Sequence, residues 1–584
     1  MVTVVKAADT AIAFTKAATE QTVKTLRKRV LKPAQRAVVG SLGLGGGERM
    51  TKVDTAWLRM DSDTNLMMIV GVWVLKPGIT HAVLCQRIED RLLKYRRFTQ
   101  RVVEDPAGAT WVPDRDFSME HHVQLETLEA PKKGGNGNGR DQSAALKVRV
   151  GDLAMQPLNP KRPLWQFHLI ENYVGPDGEK ASALVARIHH CIADGIALIA
   201  VMMSLVDGGT APPERKAREQ SEGVEDWITE TLLKPFTSVA VKAIGMAGTG
   251  TAKGIGAAGA VAGAMGSQGM AGFQQTMQML LDPQQAMQNV MQTVTGATSG
   301  FEGGFASGLA GLQKALPSGL QQSLPQAVDM ARMGFQVAQD AMALALMQDD
   351  SPTRLKGKAG NQKRVAWCEP LPLENVRAVS KALHCSINDV LLACVAGAIG
   401  AYLRDKGDDP TGLEIRAMVP VNLRPLDQAY KLGNRFGLVP LVLPIGIDNP
   451  IERVFEVQRR MAALKGSYQP LMAFSLLALA GLLIKPAQDA MLNLFGKKTT
   501  AVMTNVPGPK EKLRFCGSTL DQTMFWVPQS GDVGLGVSIL SYGGGVQFGV
   551  ITDSTLCPDP EGIIEHFEPE FIKLMWTVLM LPWE

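Results

Sequence analysis

The stretch RIHHCIADGIAL, Arg187–Leu198, decides how this chain folds. Upstream, ASALVARIHH (Ala181–His190) has the apolar character of a strand; downstream, GIALIAVMMSLV (Gly195–Val206) has that of an apolar helix. Two histidines and an aspartate therefore stand where a strand hands over to a helix, a place where α/β folds commonly expose reactive side chains. Three readings compete for His189 and His190. Zinc needs three or four ligands, yet neighbours on a strand point to opposite faces, and beyond Asp194 no further ligand stands nearby. A packed core pair is the plain structural reading. The third is a general base: one histidine enters a cleft, the other packs behind it, Gly195 allows a tight turn into the helix, and Asp194 fixes the local geometry. An imidazole of pKa ~6.5 is largely neutral at pH 7 and accepts a proton directly. The chain supplies its own control. MEHHVQLETL holds a second pair, His121–His122, with no Asp-Gly after it, so paired histidines alone say little and the full HHxxxDG is far more specific. Cys191 is not read as a nucleophile, because a thiolate needs an activating environment and strand neighbours face apart.

Working outward, 584 residues exceed the ~250–300 of a single core, so two or more domains are expected. A chain 46% hydrophobic and 20% charged is globular, and a net charge of +4 gives no case for nucleic acid. Seven scattered cysteines without a CxxC suggest a reducing compartment, and the N-terminus lacks the short apolar core and cleavage site of a secretion signal. Residues 1–49 read as a basic helical arm ending in the flexible SLGLGGGER, suited to an anionic membrane surface or to docking. Residues 50–207 form a globular half carrying the opening motif, with a surface loop at Lys132–Gln142. Residues 208–352 are a Gly, Ala, Met and Gln-rich insertion or linker, and 353–584 a second globular half. There, ENVRAVSKALHCSINDVLLACVAGAIGAYL predicts two helices broken at Cys385–Ser386, EIRAMVPVNLR a strand, and VGLGVSILSYGGGVQFGVITD a hairpin turning at Gly543–Gly545. The apolar run Leu471–Ile484 falls short of the ~20 residues that span a bilayer and reads as a core or interfacial helix. Strands and helices alternate, giving an α/β or α+β class.

HHCIADG matches the HHxxxDG signature shared by chloramphenicol acetyltransferases, peptide-synthetase condensation domains and their relatives. The flanking blocks narrow the likeness. RPLWQFHLIE, SINDVLLACVAGAIGAYL, MVPVNLRP, GNRFG, TNVPGP and the opening MTKVDTAWLRMDSDTN resemble, in order, blocks of the bacterial wax ester synthase/acyl-CoA:diacylglycerol acyltransferases. The likeness covers about Met50–Asp207 and Thr353–Phe571. Asn159 stands where the family often has Asp, Lys356 where Asn is common, and the arm and insertion exceed the usual length.

The resemblance implies two chloramphenicol-acetyltransferase-like subdomains with mixed sheets and a tunnel between them. It implies transfer of a fatty acyl group from acyl-CoA to a long-chain alcohol or diacylglycerol, giving wax ester or triacylglycerol, with acyl-CoA as co-substrate and neither cofactor nor metal. His190 would be the base, His189 its structural support, Asp194 the orienting group and Gly195 the turn. Asn388 would face the oxyanion or position substrate, and also stands where an N-cap for the following helix is expected; Asp389 would support it. Pro163, Leu164 and Trp165 read as packing. The expected partners are acyl-CoA, fatty alcohol, diacylglycerol and a membrane or lipid-inclusion surface, which places the chain in the cytoplasm, peripheral to the inner membrane or to inclusions. Two alternatives stay open: a condensation-type amide former acting on carrier-bound acyl groups, and a non-catalytic lipid-inclusion protein on the same scaffold.

Overall fold

The structure, a computed structural model, describes residues 47–105, 108–128, 141–210, 348–424, 432–465, 492 and 496–581. The basic arm up to residue 46, nearly all of the insertion, most of the Lys132–Gln142 loop and the Leu471–Ile484 run lie outside the described residues.

Two mixed sheets carry the fold. The first runs in the order Arg514–Phe515, Ser518–Trp526, Met68–Lys76, Lys180–His189, Trp165–Val174, Val123–Glu126. The second runs Phe436–Leu443, Ile415–Asn422, Ala501–Pro507, Leu535–Tyr542, Gly545–Asp553, Lys363–Trp367, with Leu371–Pro372 also on Gly545–Asp553. Ala501–Pro507 pairs in parallel with both of its neighbours. This is the expected α/β class with mixed sheets.

The strand Met68–Lys76 is an almost unbroken apolar run because helices cover both of its faces. Alternation divides it. Met68, Val70, Val72 and Val74 pack with Leu146, Val150 and Leu153 of the helix Ser143–Ala154. Ile69 and Leu75 join the other core with Ala197, Leu198 and Val201 of the helix Gly195–Leu205. The strand predicted to end at the paired histidines spans Lys180–His189 and lies antiparallel to Met68–Lys76, with Met68 opposite His189.

Chain order does not dictate sheet membership. Ser518–Trp526, from the second half of the sequence, leaves its own sheet and pairs with Met68–Lys76 of the first. Met524 and Trp526 are thereby buried among the valines of that strand. In the second half, helix Ile387–Asp405 is the axis of a core built from the second sheet and helix Glu561–Leu579. Its length and apolarity would suffice to cross a membrane, but here most of it is buried by the surrounding protein.

The helix break falls at Cys385–Ser386 as expected, with helices Leu373–Ala382 and Ile387–Asp405 on either side. The cap, however, is Ser386 and not Asn388. Ser386 Oγ accepts from Asp389 N at 3.2 Å while Asp389 Oδ2 accepts from Ser386 N at 2.9 Å, a capping box that satisfies two end donors reciprocally. The hairpin Leu535–Tyr542 to Gly545–Asp553 turns on Gly543 and Gly544, both at positive φ, as a two-residue turn matched to strand twist requires. Ser386→Ala should therefore cost ~0.5–2 kcal/mol, read as a lowered urea midpoint at constant m-value. Asn388→Ala, at an exposed site outside the box, should stay within about 0.5 kcal/mol of the parent.

Candidate active site

Strand geometry separates the two histidines. His189 N donates to Leu164 O at 2.9 Å and His190 N to Met67 O at 2.7 Å, so both backbones are fixed. His189 turns toward Asp61, with Nε2 3.4 Å from Oδ1, and its Nδ1 accepts from Cys191 N at 3.1 Å. Burial disfavours its charged form, but Cys191 and the Asp61 carboxylate outweigh that and raise its pKa. His190 turns the other way and lies flat on Trp57, centroids 4.2 Å apart and planes 16° apart. Phe436, from the second half of the chain, leans on it at 5.4 Å and 45°. Burial lowers the His190 pKa to about 4, against the opposing pull of the Asp194 charge and the Asn434 side chain. The ring is therefore neutral at pH 7. Its Nδ1 is buried and makes no hydrogen bond, so aromatic faces rather than a carboxylate hold its plane.

The loop between His190 and the helix is pinned from the opposite half. Asp194 Oδ1 caps helix Gly195–Leu205 by accepting from Ala197 N at 2.9 Å. Its Oδ2 accepts from Arg424 Nη2 at 2.7 Å and Arg435 N at 2.9 Å. Both side chains of this ion pair are buried, 2% and 5% exposed for Arg424 and Asp194. Arg424 also donates to Gly433 O, which accepts from Asp194 N as well. A second tie runs through Asn434, whose Nδ2 donates to His190 O at 2.8 Å and to Asp54 Oδ1 at 2.7 Å. Arg97 completes it, donating to Ile192 O at 2.7 Å and lying 3.3 Å from Asp54 Oδ2. Burial raises the Asp54 pKa, while Arg97 and Asn434 work to lower it. Asp194 thus orients the loop and joins the halves; none of its hydrogen bonds reaches the imidazole.

Gly195 corrects an expectation. Its φ is not in the left-handed region, so the turn does not require glycine. A Cβ built there meets nothing within 4 Å, because the residue lines an apolar cavity of about 140 Å³. Leu198, Ile199 and Met202 of the same helix form one wall, Ile69, Gly71, Trp73 and Ile188 of the first sheet another, and Val506–Pro509 of the second half a third. Its volume is close to the ~150 Å³ that accepts benzene. Ile188 and Gly195, which bracket the His190 loop in sequence, line this cavity, whereas His190 itself is buried and is not among the lining residues.

Asn388 is exposed and accepts from Asn505 Nδ2 at 3.0 Å; Asp389 is buried in the capping box. Neither is hydrogen-bonded to His190. Asn505 immediately precedes Val506 of the cavity wall; the asparagine pair joins two sequence blocks, though neither asparagine lines the cavity. Sequence reasoning missed Trp57, Arg97, Arg424 and Asn434. Three of these lie in blocks already noticed, DTAW, NLRP and GNRFG; Arg97 carries no motif. In the control pair only His122 belongs to the core: its Nδ1 donates to Trp165 O at 2.8 Å and its ring is stacked between Phe117 and Trp165, while His121 is half-buried. The two departures are absorbed locally. Asn159 Oδ1 accepts from Lys161 N, and Lys356 Nζ donates to the carbonyls of Gly496 and Thr499. Among the described residues, no three His, Cys, Asp or Glu side chains gather as a metal set.

An HHxxxDG loop buried between two mixed-sheet halves, beside an apolar cavity, defines an acyl-transfer scaffold, and comparison with known proteins narrows it. The family model described as wax ester synthase/diacylglycerol acyltransferase catalytic domain matches residues 50–249 and 252–391, and that of the WS/DGAT C-terminal domain matches 432–575. The chain belongs to the wax ester synthase/diacylglycerol acyltransferase family and is an acyl-CoA-dependent O-acyltransferase. It is 23% identical over 536 residues to a Mycobacterium tuberculosis protein named "Probable diacyglycerol O-acyltransferase tgs1", covering 90% of this chain and 95% of that one. A second M. tuberculosis protein named for the same activity is 30% identical over 226 residues, 38% of this chain and 50% of its own. The solved wax ester synthase/diacylglycerol acyltransferase from Marinobacter aquaeolei VT8 shares the fold, with a TM-score of 0.54 at 17% identity, over 91% of this chain and 100% of that one.

The ion pair that joins the halves can be broken from one side. Arg424→Ala leaves Asp194 buried without its cation and should destabilise the chain by ~3–5 kcal/mol, measured by equilibrium denaturation. A loss under 1 kcal/mol would show that the pair does not hold the halves together.

Proposed function

We propose that this chain transfers a fatty acyl group from acyl-CoA to the hydroxyl of a long-chain alcohol or a diacylglycerol, with His190 as the general base. The observation that carries this reading is a neutral, buried imidazole in a loop whose flanking residues, Ile188 and Gly195, line an apolar cavity built from both halves. The hydroxyl proton passes to His190 as the alcohol oxygen attacks the thioester carbonyl. A tetrahedral oxyanion forms, the C–S bond breaks, and the proton returns from His190 to the departing CoA thiolate. No acyl-enzyme is needed, because the alcohol attacks directly. A positioned base contributes ~10²–10⁴-fold, and holding both reactants in register contributes more. An apolar cavity suits the substrates, since each buried CH₂ is worth ~0.8 kcal/mol.

We assign His189 to structural support, on its Asp61 and Leu164 contacts. Asn388 is assigned to substrate positioning or the oxyanion, on its exposure and its contact with Asn505, the neighbour of Val506 in the cavity wall, with Asp389 supporting the helix start beneath it. We also assign the chain to a cytoplasmic lipid surface, the inner membrane or lipid inclusions. The water-insolubility of both acceptors and the basic composition of residues 1–49 support that placement.

His190→Ala should lower ester formation by ~10²–10⁴-fold without unfolding the chain, assayed with palmitoyl-CoA and either hexadecanol or diolein. Ester formation that survives this change, with the fold intact by circular dichroism, refutes the base. An amine acceptor run in parallel separates ester from amide formation. Because burial lowers the His190 pKa to about 4, the base stays unprotonated well below the ordinary imidazole range. The kcat/KM profile should therefore be level from pH 8 to below pH 6, with its acid limb near 4. An acid limb at 6.5 or above would contradict this. The same depression links to stability: between ~6.5 and about 4 the unfolded chain binds this proton first, so stability declines as pH falls through that window.

A further inference from the structure

The cavity beside Gly195 has a graded floor. Along the first sheet its lining alternates with the strand period, Ile69, Gly71, Trp73 on one strand and Ile188, Ala186, Leu184 on its neighbour. In register, Ile69 faces Ile188, Gly71 faces Ala186 and Trp73 faces Leu184. The middle pair is thus the smallest of the three, and the sheet surface sinks there. Two residues on, it is blocked. Trp73 stands against Phe515, with ring centroids 5.3 Å apart at 77°. Beyond Phe515 the surroundings turn polar, with the Arg87 guanidinium 5.5 Å over its ring and paired to Asp207 at 2.6 Å. An apolar path that starts beside the catalytic loop therefore ends at an aromatic wall with a charge behind it. From residue 69 to residue 73 the path spans four strand positions, ~13 Å at ~3.3 Å each.

Neither glycine on this path is required by the backbone. Gly71 and Gly195 both lie outside the left-handed region. A Cβ at Gly71 would meet only ordinary contacts, Met524 O at 3.7 Å and Phe525 Cβ at 3.8 Å, and one at Gly195 would meet nothing. The missing side chains leave room in the cavity and serve no turn.

We propose that the cavity is a measuring slot for one linear alkyl chain, entered beside Gly195, running over Gly71 and Ala186, and closed by Trp73 against Phe515. The proposal rests on the acyl-transfer reading for where the reacting head lies, but the length limit is a property of the slot itself. The alkyl chain belongs either to the acyl donor or to the alcohol, two sources of one chemistry that the test separates. Trp73 and Gly71 are specificity-determining residues: they touch the tail of the chain and not its reacting end.

The test uses the full chain and two length series, saturated acyl-CoAs with hexadecanol, and saturated alcohols with palmitoyl-CoA. In one of the two arms, Trp73→Ala should move the kcat/KM optimum to longer chains, and Gly71→Leu to shorter ones. Each methylene gained or excluded should change kcat/KM about fourfold, the equivalent of ~0.8 kcal/mol. The arm that responds names the occupant. Trp73→Phe should fall between parent and Trp73→Ala, which keeps the test readable should the alanine variant fold poorly. A readout without turnover runs beside it: saturated fatty acids of graded length displace cis-parinaric acid, with the same shift in optimum expected in the variants. That assay works equally in His190→Ala, so failure of the base and failure of the slot are distinguishable. Unchanged length profiles in both arms and in displacement, for folded variants, overturn the proposal.

Discussion

Asp194 is held by two structures at once, and the site depends on that. One carboxylate oxygen caps the helix Gly195–Leu205; the other receives the Arg424 guanidinium from more than two hundred residues away. Burying two such charges costs several kcal/mol each, repaid only when geometry is good and the remaining lone pairs are filled. Here they are filled, by the backbone amides of Ala197 and Arg435, and the positive end of the helix favours the anion further. With Asn434 holding the His190 carbonyl and Arg97 holding that of Ile192, the loop has no slack along its length. The conformation of His190 is thus decided jointly by both halves.

What this network supplies is a dry imidazole. Dryness keeps the ring neutral at the cost of basicity, since a group with a pKa near 4 is a weaker proton acceptor than one near 7. Comparison with His122 sharpens the point. Both rings are buried, both stack on tryptophan, and burial takes both pKa values to about 4. His122 Nδ1, though, is bound to the Trp165 carbonyl, whereas His190 Nδ1 has no hydrogen bond. Each ring also keeps one buried nitrogen without a hydrogen bond, Nε2 in His122 and Nδ1 in His190; what differs is that a carbonyl anchors His122, while aromatic faces hold His190.

The strand-to-helix handover at His189–Gly195, the opposed faces of the two histidines, the helix break at Ser386 and the glycine hairpin were all legible, because each is a local consequence of period, capping or turn chemistry. What was not legible is what depends on distance along the chain. The exchange of Ser518–Trp526 into the first sheet has no local signature, since an alternating strand looks alike in either sheet. Arg97 and Arg424 look like ordinary surface arginines until the fold buries them against Asp54 and Asp194. Trp57 was visible only as apolar bulk; its stacking on His190 needs the third dimension. Gly195 was assigned to a turn, for glycine's commonest reason, and proves to leave space instead. Asn388 was also assigned to the cap, which a serine two residues earlier takes.

Two ties join the halves, one at the His190 loop and one at the foot of the cavity, where Trp73 meets Phe515. At the loop, Asp194–Arg424 and Asp54–Asn434 fix the residues after His190 against the second half. At the foot, the exchanged strand brings Thr523 and Phe525 onto the first sheet, and Phe515 just before it closes against Trp73. Tyr542 secures that foot, accepting from Leu513 N at 2.7 Å and donating to Leu520 O at 2.8 Å. Had both ties stood at the loop, the far walls would be free to separate. With the exchanged strand as a second tie, the aromatic wall is held to the same sheet that leads into the loop, and the spacing between them follows strand geometry.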